Sequence, residues 1–148
     1  MSATRRLQDD RGNVLGTGSE DASLAADMAL WRMVTGQGCP LADLRAAAEH
    51  DPNWALPALM QAGHLLMNGS ASQHTQALQG LAEAPLVRAL THAPAREQAH
   101  AQALQRLAEG HAGAACRVWD RLLVEQPCDL LALYWAQRCD LHRGEPTQ

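Results

Sequence analysis

The sequence predicts an all-α fold of about seven helices that pair as antiparallel hairpins. Apolar residues make up 47% of the 148 residues, but Ala and Leu dominate them, and Ile and Phe are absent. The chain is therefore poor in the β-branched and aromatic residues that strands favour. Apolar residues recur three and four positions apart between short Gly and Pro separators, a spacing typical of amphipathic helices joined by tight turns.

Charge and hydropathy exclude two classes of partner. All twelve basic residues are Arg, sixteen residues are acidic and the formal net charge is -4, so no basic surface is available for a nucleic-acid backbone. No apolar stretch reaches the roughly 18 residues of a membrane helix, and the N-terminus lacks the apolar core of an export signal. The four scattered cysteines are expected to be reduced thiols. We therefore expect a cytoplasmic protein that binds neither nucleic acid nor membranes.

The sequence divides into a lead-in, a helical domain and a tail. Glycines at positions 12, 16 and 18 interrupt any periodic pattern, so residues 1–18 are predicted to be irregular. Ser19 is a suitable cap for the first helix, since its hydroxyl can accept a free N–H of the first turn. The helical domain is predicted to span residues 19–144, and residues 145–148 form a C-terminal tail.

The first three helices follow from apolar spacing and from their separators. The first ends at Gly36 and carries one apolar stripe, formed by Leu24, Met28, Trp31 and Val34. The second lies between Pro40 and Pro52, because proline disfavours helical geometry in the residue before it. The third begins near Asn53 and has a face that repeats at three and four residues, formed by Leu56, Leu59, Met60, Gly63, Leu66 and Met67.

Four more helices complete the prediction. Ser72 is expected to open the fourth, which runs to Leu90 with a kink or break at Pro85, since proline removes a hydrogen bond and collides with the carbonyl of Leu81. The others run from about Pro94 to Glu109, from about Gly113 to Glu125 and from Asp129 to about His142. Their separators are Gly110, Pro127 and Gly144.

Two of the predicted helices share one spacing. The residues at offsets 0, 4, 7 and 12 are Ala115, Trp119, Leu122 and Pro127 in one, and Pro40, Leu44, Ala47 and Pro52 in the other. A bulky residue four positions after a small one, with a closing proline, resembles the second helix of a tetratricopeptide repeat. The first-helix pattern of that repeat is absent in register, so we expect an irregular tetratricopeptide-like α-solenoid. The alternative is a chance match between Ala-rich helices that end in proline.

Five stretches carry a more specific resemblance: DRGNVL at 10–15, AAAEHDP at 46–52, REQAH at 96–100, LAEG at 107–110 and QPCDLLAL at 126–133. In this order they resemble the N-terminal part of the family called tetratricopeptide repeat protein 38. The resemblance implies an α-solenoid of helix hairpins. Family members are considerably longer, so the chain looks like about the first third of one, cut off or naturally shortened soon after Gly144. The resemblance implies no reaction or ligand for particular residues.

Arg96, Glu97 and His100 form a polar cluster on the fifth predicted helix, since residues three and four apart are neighbours. In one interpretation Glu97 orients His100 as a general base. In the other, the three residues form a helix-surface or inter-helix network that fixes packing. We favour the second, because no nucleophile or glycine-rich loop accompanies the cluster.

Metal binding and the core depend on the remaining special residues. His111 with Cys116, or Cys128 with Cys139, could supply ligands, but zinc sites need four converging donors, usually at short paired spacings. We therefore expect no metal and no cofactor. Most of the tryptophans are expected to anchor the core where helix pairs stack, and they are Trp31, Trp54, Trp119 and Trp135.

The last predicted helix is apolar around its whole circumference in residues 130–136, and such a helix is expected to be buried on every side. It has no sequential partner helix. A second copy, another protein or the remainder of a longer chain would then cover it. The candidate partner-binding residues are Leu130, Leu131, Tyr134 and Trp135. The alternative is that this helix simply caps the body.

The sequence therefore predicts a non-enzymatic protein-protein interaction module of the tetratricopeptide type, with a protein partner or self-association. One alternative is a helical enzyme or cofactor-binding domain that uses Arg96, Glu97 and His100. Another is a truncated product with no independent role. An interaction module should expose a contiguous apolar face, whereas an enzyme should have a closed pocket where polar groups converge on His100.

Overall fold

A computed structural model describes residues 6–9 and 11–142, with side chains up to residue 140. Within these residues it has eight helices, which are α1 (Glu20–Thr35), α2 (Leu41–His50), α3 (Leu56–Asn68), α4 (Ala71–Ala82), α5 (Ala84–Leu90), α6 (Ala95–Ala108), α7 (Ala112–Glu125) and α8 (Leu130–His142). The described residues form no β-strand, which confirms the predicted all-α class. None of these helices is long and apolar enough to cross a membrane. Residues 1–5, Asp10 and residues 143–148, with the predicted separator Gly144 and the tail, lie outside the described residues.

The predicted fourth helix is two helices in the structure, so the described chain has eight rather than about seven. α4 and α5 meet at Glu83, and Pro85 lies in the first turn of α5, where a missing N–H is tolerated; the predicted break is confirmed. The predicted start at Ser72 is wrong. Ser70 caps α4, because its hydroxyl accepts from the backbone N–H of Gln73 while the Gln73 side chain accepts from the backbone N–H of Ser70.

Helices that follow one another in the chain pack as pairs. α1 packs on α2, α3 on α4 and α6 on α7, while α8 packs on α7 and also reaches α3. Contacts of α3 with α2 and α6 join the pairs into one body. Local chemistry sets the ends of α1 as predicted. The Ser19 hydroxyl accepts from the N–H of Ala22 at 3.1 Å, and Gly36 ends the helix with a φ of 71°, in the left-handed region.

One continuous core, rich in Ala and Leu, runs through the body. The predicted face of α3 is entirely buried. Trp54, Trp119 and Trp135 are buried, as predicted for most of the tryptophans, but Trp31 lies on the surface. Gly63 on α3 lets Trp135 approach closely, since a Cβ at that glycine would lie 2.3 Å from the indole ring. The apolar helix residues at the two matching spacings are all buried, namely Leu44, Ala47, Ala115, Trp119 and Leu122.

The described part of the lead-in is folded against the helices. Gln8 and Val14 form an isolated antiparallel bridge. Asn13 is buried, and its side-chain amide donates to the carbonyl of Cys128 at 3.0 Å, just before α8. The segment has no helix, but its polar side chains fix it to distant parts of the chain.

Candidate functional site

The polar cluster predicted from the sequence lies in the interior. Arg96, Glu97 and His100 occupy the first turns of α6, and the exposed fractions of their side chains are 7%, 0% and 0%. Buried charged groups are stable only when they are paired and hydrogen-bonded. The three side chains accordingly form two polar centres, one around Asp129 and the other around Glu97.

The first centre is a carboxylate that joins α6 to α8. Arg96 donates to the two oxygens of Asp129 from Nε at 2.7 Å and from Nη2 at 3.2 Å. His100 Nε2 lies 2.9 Å from Asp129 Oδ2. The second oxygen also accepts the backbone N–H of Ala132 at 3.0 Å, so Asp129 caps the N-terminus of α8. One carboxylate therefore fixes both an arginine of α6 and the start of the last helix.

The hydrogen bonds of His100 fix its tautomer. Trp119 Nε1 lies 3.1 Å from His100 Nδ1, and an indole N–H can only donate, so Nδ1 must be the unprotonated acceptor. The proton of the neutral ring therefore sits on Nε2 and is donated to Asp129. The ring also packs edge-on against Trp135, with centroids 5.3 Å apart. Both ring nitrogens are occupied by protein groups, which leaves neither free to take a proton from a ligand.

Burial and pairing set the charges of this centre. Burial disfavours the imidazolium and lowers the pKa of His100, although the hydrogen bond and charge of Asp129 oppose the shift. Burial would by itself raise the pKa of Asp129. The hydrogen bond from His100 and the charge and hydrogen bonds of Arg96 outweigh burial, so the pKa of Asp129 lies well below its ordinary value. The centre thus holds a neutral histidine between an ionised aspartate and two tryptophans, with Arg96 as counter-charge.

The second centre ties the N-terminal segment to α6. Glu97 Oε2 accepts from the backbone N–H of Gly16 at 2.8 Å and from Trp54 Nε1 at 2.9 Å. Its other oxygen is buried without a partner among the described residues. Burial raises the pKa of Glu97, against the effect of these hydrogen bonds and of Arg96. Gly16 allows the contact, since a Cβ there would lie 2.6 Å from Glu97 Oε1.

The two centres have the geometry of an inter-helix packing network. Neither His100 nor Glu97 lines any of the three principal cavities of the described residues. A general base needs a route to the proton that it removes. The positions of Arg96, Glu97 and His100 therefore support the packing interpretation over the catalytic one.

The candidate partner-binding residues of the last helix lie mostly inside the body. Leu131 and Trp135 are 1% and 0% exposed, and they pack in the core formed with α3 and α7. Leu130 and Tyr134 are partly buried, and the Arg138 guanidinium stands 5.9 Å from the Tyr134 ring centroid. Leu131 and Trp135 are therefore inaccessible to a partner while α8 is docked, as expected for a helix that caps the body.

An exposed apolar surface instead lies at the other end of the chain, on α1. Leu24, Met28 and Trp31 follow one another at one-turn spacing and are 68%, 49% and 48% exposed; we call these three residues the α1 row. The buried side of α1 is formed by Ala22, Ala26, Ala29, Leu30 and Met33. The sequence held both stripes, and the alanine-rich one was the signal for the buried face.

The residues considered as metal ligands do not assemble. Among the residues that the structure describes, no group of three or more His, Cys, Asp or Glu side chains is placed to hold a metal ion. His111 and Cys128 are exposed, whereas Cys116 is buried and donates to Asp140 at 3.6 Å. Cys139 is also buried and donates to a backbone carbonyl of α7 at 3.4 Å.

Comparison with known protein families gives no match for this chain. Comparison with solved structures gives none either. The fold defines an all-helical protein, and its function must be inferred from its own surfaces and contacts.

Proposed function

We propose that this chain is a non-enzymatic protein-protein interaction module of the tetratricopeptide type, and that the α1 row binds a helix of its partner. The exposure of Leu24, Met28 and Trp31 in one row carries the proposal. Contiguous apolar patches on a protein surface mark interaction sites. Tryptophan and methionine are enriched at interfaces, and tryptophan is among the residues that contribute most binding energy.

The tetratricopeptide arrangement is supported by the pairing of the helices. α1 with α2, α3 with α4 and α6 with α7 form successive pairs, and α8 packs where the first helix of a further pair would stand. The matching spacings of α2 and α7 place buried residues at the same offsets, with Leu44 and Trp119 as the bulky members. We therefore propose an irregular solenoid related to the tetratricopeptide repeat protein 38 family. The four free thiols support a reducing compartment, the cytosol.

The charges around the α1 row favour a basic partner helix. Glu20, Asp21 and Asp27 lie on α1, and its one basic residue, Arg32, is paired with Asp43 at 2.6 Å. Charges at the rim of an interface steer association and exclude wrong partners. A second copy of this chain would bring the same acidic residues to the contact. The complementary occupant is a different protein that presents an amphipathic helix, with apolar residues three and four apart and flanking Lys or Arg.

The absence of catalysis in this proposal rests on the sealed network. The enzymatic alternative assigns a function to Arg96, Glu97 and His100, yet Asp129 and Trp119 occupy both nitrogens of His100. The α1 row lies outside this network and does not depend on it.

Synthetic peptides provide a direct test. We expect a leucine-based amphipathic helix with Lys flanks to bind the 148-residue chain, more weakly at higher salt, as measured by titration calorimetry. Trp31→Glu should weaken binding by at least about tenfold. The control is Val124→Glu on α7, where Val124 is 83% exposed and lies outside the row; it should bind as the wild type does. Equal binding of a Glu-flanked peptide, or full binding by Trp31→Glu, would contradict the proposal.

A further inference from the structure

A cavity of about 80 Å³ lies where the N-terminal segment meets α1, α3, α6 and α8. This volume accommodates several waters or a small organic group, since one water needs roughly 10–15 Å³ by the same measure. Most of its wall is apolar, and that part includes Leu15, Leu30, Leu56, Met60 and Leu131. The polar part includes Arg11 and Arg96. Neither the peptide surface proposed above nor the packing network accounts for this cavity.

Two arginines that line the cavity have unused donors. Arg96 is 7% exposed and spends Nε and Nη2 on Asp129, but its Nη1 is buried without an acceptor among the described residues. Arg11 pairs through Nη2 with Asp9 at 3.3 Å and with Asp27 at 3.1 Å, and its buried Nε also lacks an acceptor. Leaving a charged buried donor unpaired carries a large desolvation cost. An oxygen atom held in this cavity would remove that cost.

The surrounding charges select an uncharged oxygen. Asp129 already balances Arg96, and both carboxylates that pair with Arg11, those of Asp9 and Asp27, line the same cavity. An additional anion would meet these carboxylates in a site of low dielectric, where like charges repel strongly. A carbonyl oxygen satisfies the guanidinium without adding charge.

We propose that this cavity binds a small uncharged aliphatic amide, whose carbonyl oxygen accepts from Arg96 and whose alkyl group packs on the leucine wall. Small ligand sites are typically concave and mostly apolar, with a few polar groups that fix orientation. The cavity has both properties. Its ligand is a free small molecule, whereas the α1 row takes a helix, so the two proposals stand or fall separately.

Isobutyramide and isobutyrate form a matched pair of probes, because they have the same shape and differ in charge. We expect isobutyramide to bind the 148-residue chain with a dissociation constant in the millimolar range, as tight as so few atoms generally allow. Nuclear magnetic resonance should show saturable shifts of the Arg96 Nε and Trp54 indole signals, since both residues line the cavity. Isobutyrate should bind at least about tenfold more weakly. Absence of saturable shifts, or equal or tighter binding of isobutyrate, would overturn the proposal.

Two variants locate the binding site. Ser23→Met fills the cavity from α1, and Arg96→Lys keeps a charge for Asp129 but removes the free Nη1. Each should weaken isobutyramide binding by at least about tenfold. The control is Thr35→Met, on the exposed end of the same helix and outside the cavity, which should bind normally. Ser23 is outside the buried network, so its variant decides the matter if Arg96→Lys fails to fold; unchanged binding by Ser23→Met would refute the site.

Discussion

α1 and α8 both carry large apolar residues, yet they use them in opposite ways. α8 buries Leu131 and Trp135, whereas α1 leaves Trp31 in contact with solvent. Small residues account for the difference. Gly63 on α3 opens the space that Trp135 fills, while the buried side of α1 is narrow and contains Ala22, Ala26 and Ala29. The positions of small residues therefore indicate where helices approach one another closely, and a stripe of large side chains alone does not.

The largest contrast between the two helices should come from Trp135→Ala. This indole is fully buried against α3 and α7, so we expect the free energy of unfolding to fall by about 3–5 kcal/mol in urea denaturation. Trp135→Phe is the control: the indole N–H has no partner among the described residues, and Phe keeps most of the volume, so about 1.5 kcal/mol or less should be lost. A loss below about 1 kcal/mol for Trp135→Ala would mean that α8 is not part of the core.

Asp129→Asn should sharpen the comparison, because only α8 is anchored by a buried charge. The substitution removes the counter-charge of Arg96 while Asn can still cap the helix, so we expect a loss of about 3 kcal/mol. Asp120→Asn on the exposed side of α7 is the matched control, with a change within about 0.5 kcal/mol. Similar unfolding energies for the two variants would show that the Asp129 network does not stabilise the fold.

Acid should weaken the α8 network through His100. Its pKa is lowered in the folded chain by burial, so below the ordinary value of 6.5 the unfolded chain takes up a proton that the folded chain refuses. This contribution to stability is present above pH 6.5 and is lost as the pH falls toward the folded pKa, at about 1 kcal/mol per pH unit. Urea titrations at several pH values will measure the slope.

The variant His100→Gln isolates this effect from other titrating groups. His64 on α3 also has its pKa lowered, chiefly by burial, and acts with the same sign. Glu97 acts with the opposite sign, since its raised pKa stabilises the fold at low pH and that contribution is lost as the pH rises. Both are retained in His100→Gln, so the difference in slope between the two proteins reports His100. Identical slopes would contradict the assignment of a neutral buried histidine.

Local chemistry made most helix boundaries predictable. Ser19, Gly36 and Pro85 act on backbone groups within a few residues, so a cap, a helix end and a break could be inferred without tertiary information. Ser70 and Ser72 show the limit, because both can cap a helix and the choice depends on Gln73, which completes a reciprocal pair with Ser70.

The polar network could be predicted only in part. Arg96, Glu97 and His100 are close in the sequence, but their shared partner Asp129 follows His100 by 29 residues, and only tertiary packing brings it to them. The residue did carry a local signal, as an aspartate placed directly before an apolar helix. The orientation of α1 was harder to predict, because two stripes fit its helical period and burial depends on which one meets α2.

The smallest effect expected is that of Trp31→Gln. A side chain 48% exposed loses little contact area, so the free energy of unfolding should change by no more than about 0.5 kcal/mol. Tryptophan fluorescence provides a second readout, since Trp54, Trp119 and Trp135 are buried and the variant should lose the long-wavelength part of the emission. A loss of about 2 kcal/mol or more that grows with protein concentration would show that a second copy covers the α1 row. α1 would then match α8 in burying its large side chains, with the cover supplied by another chain.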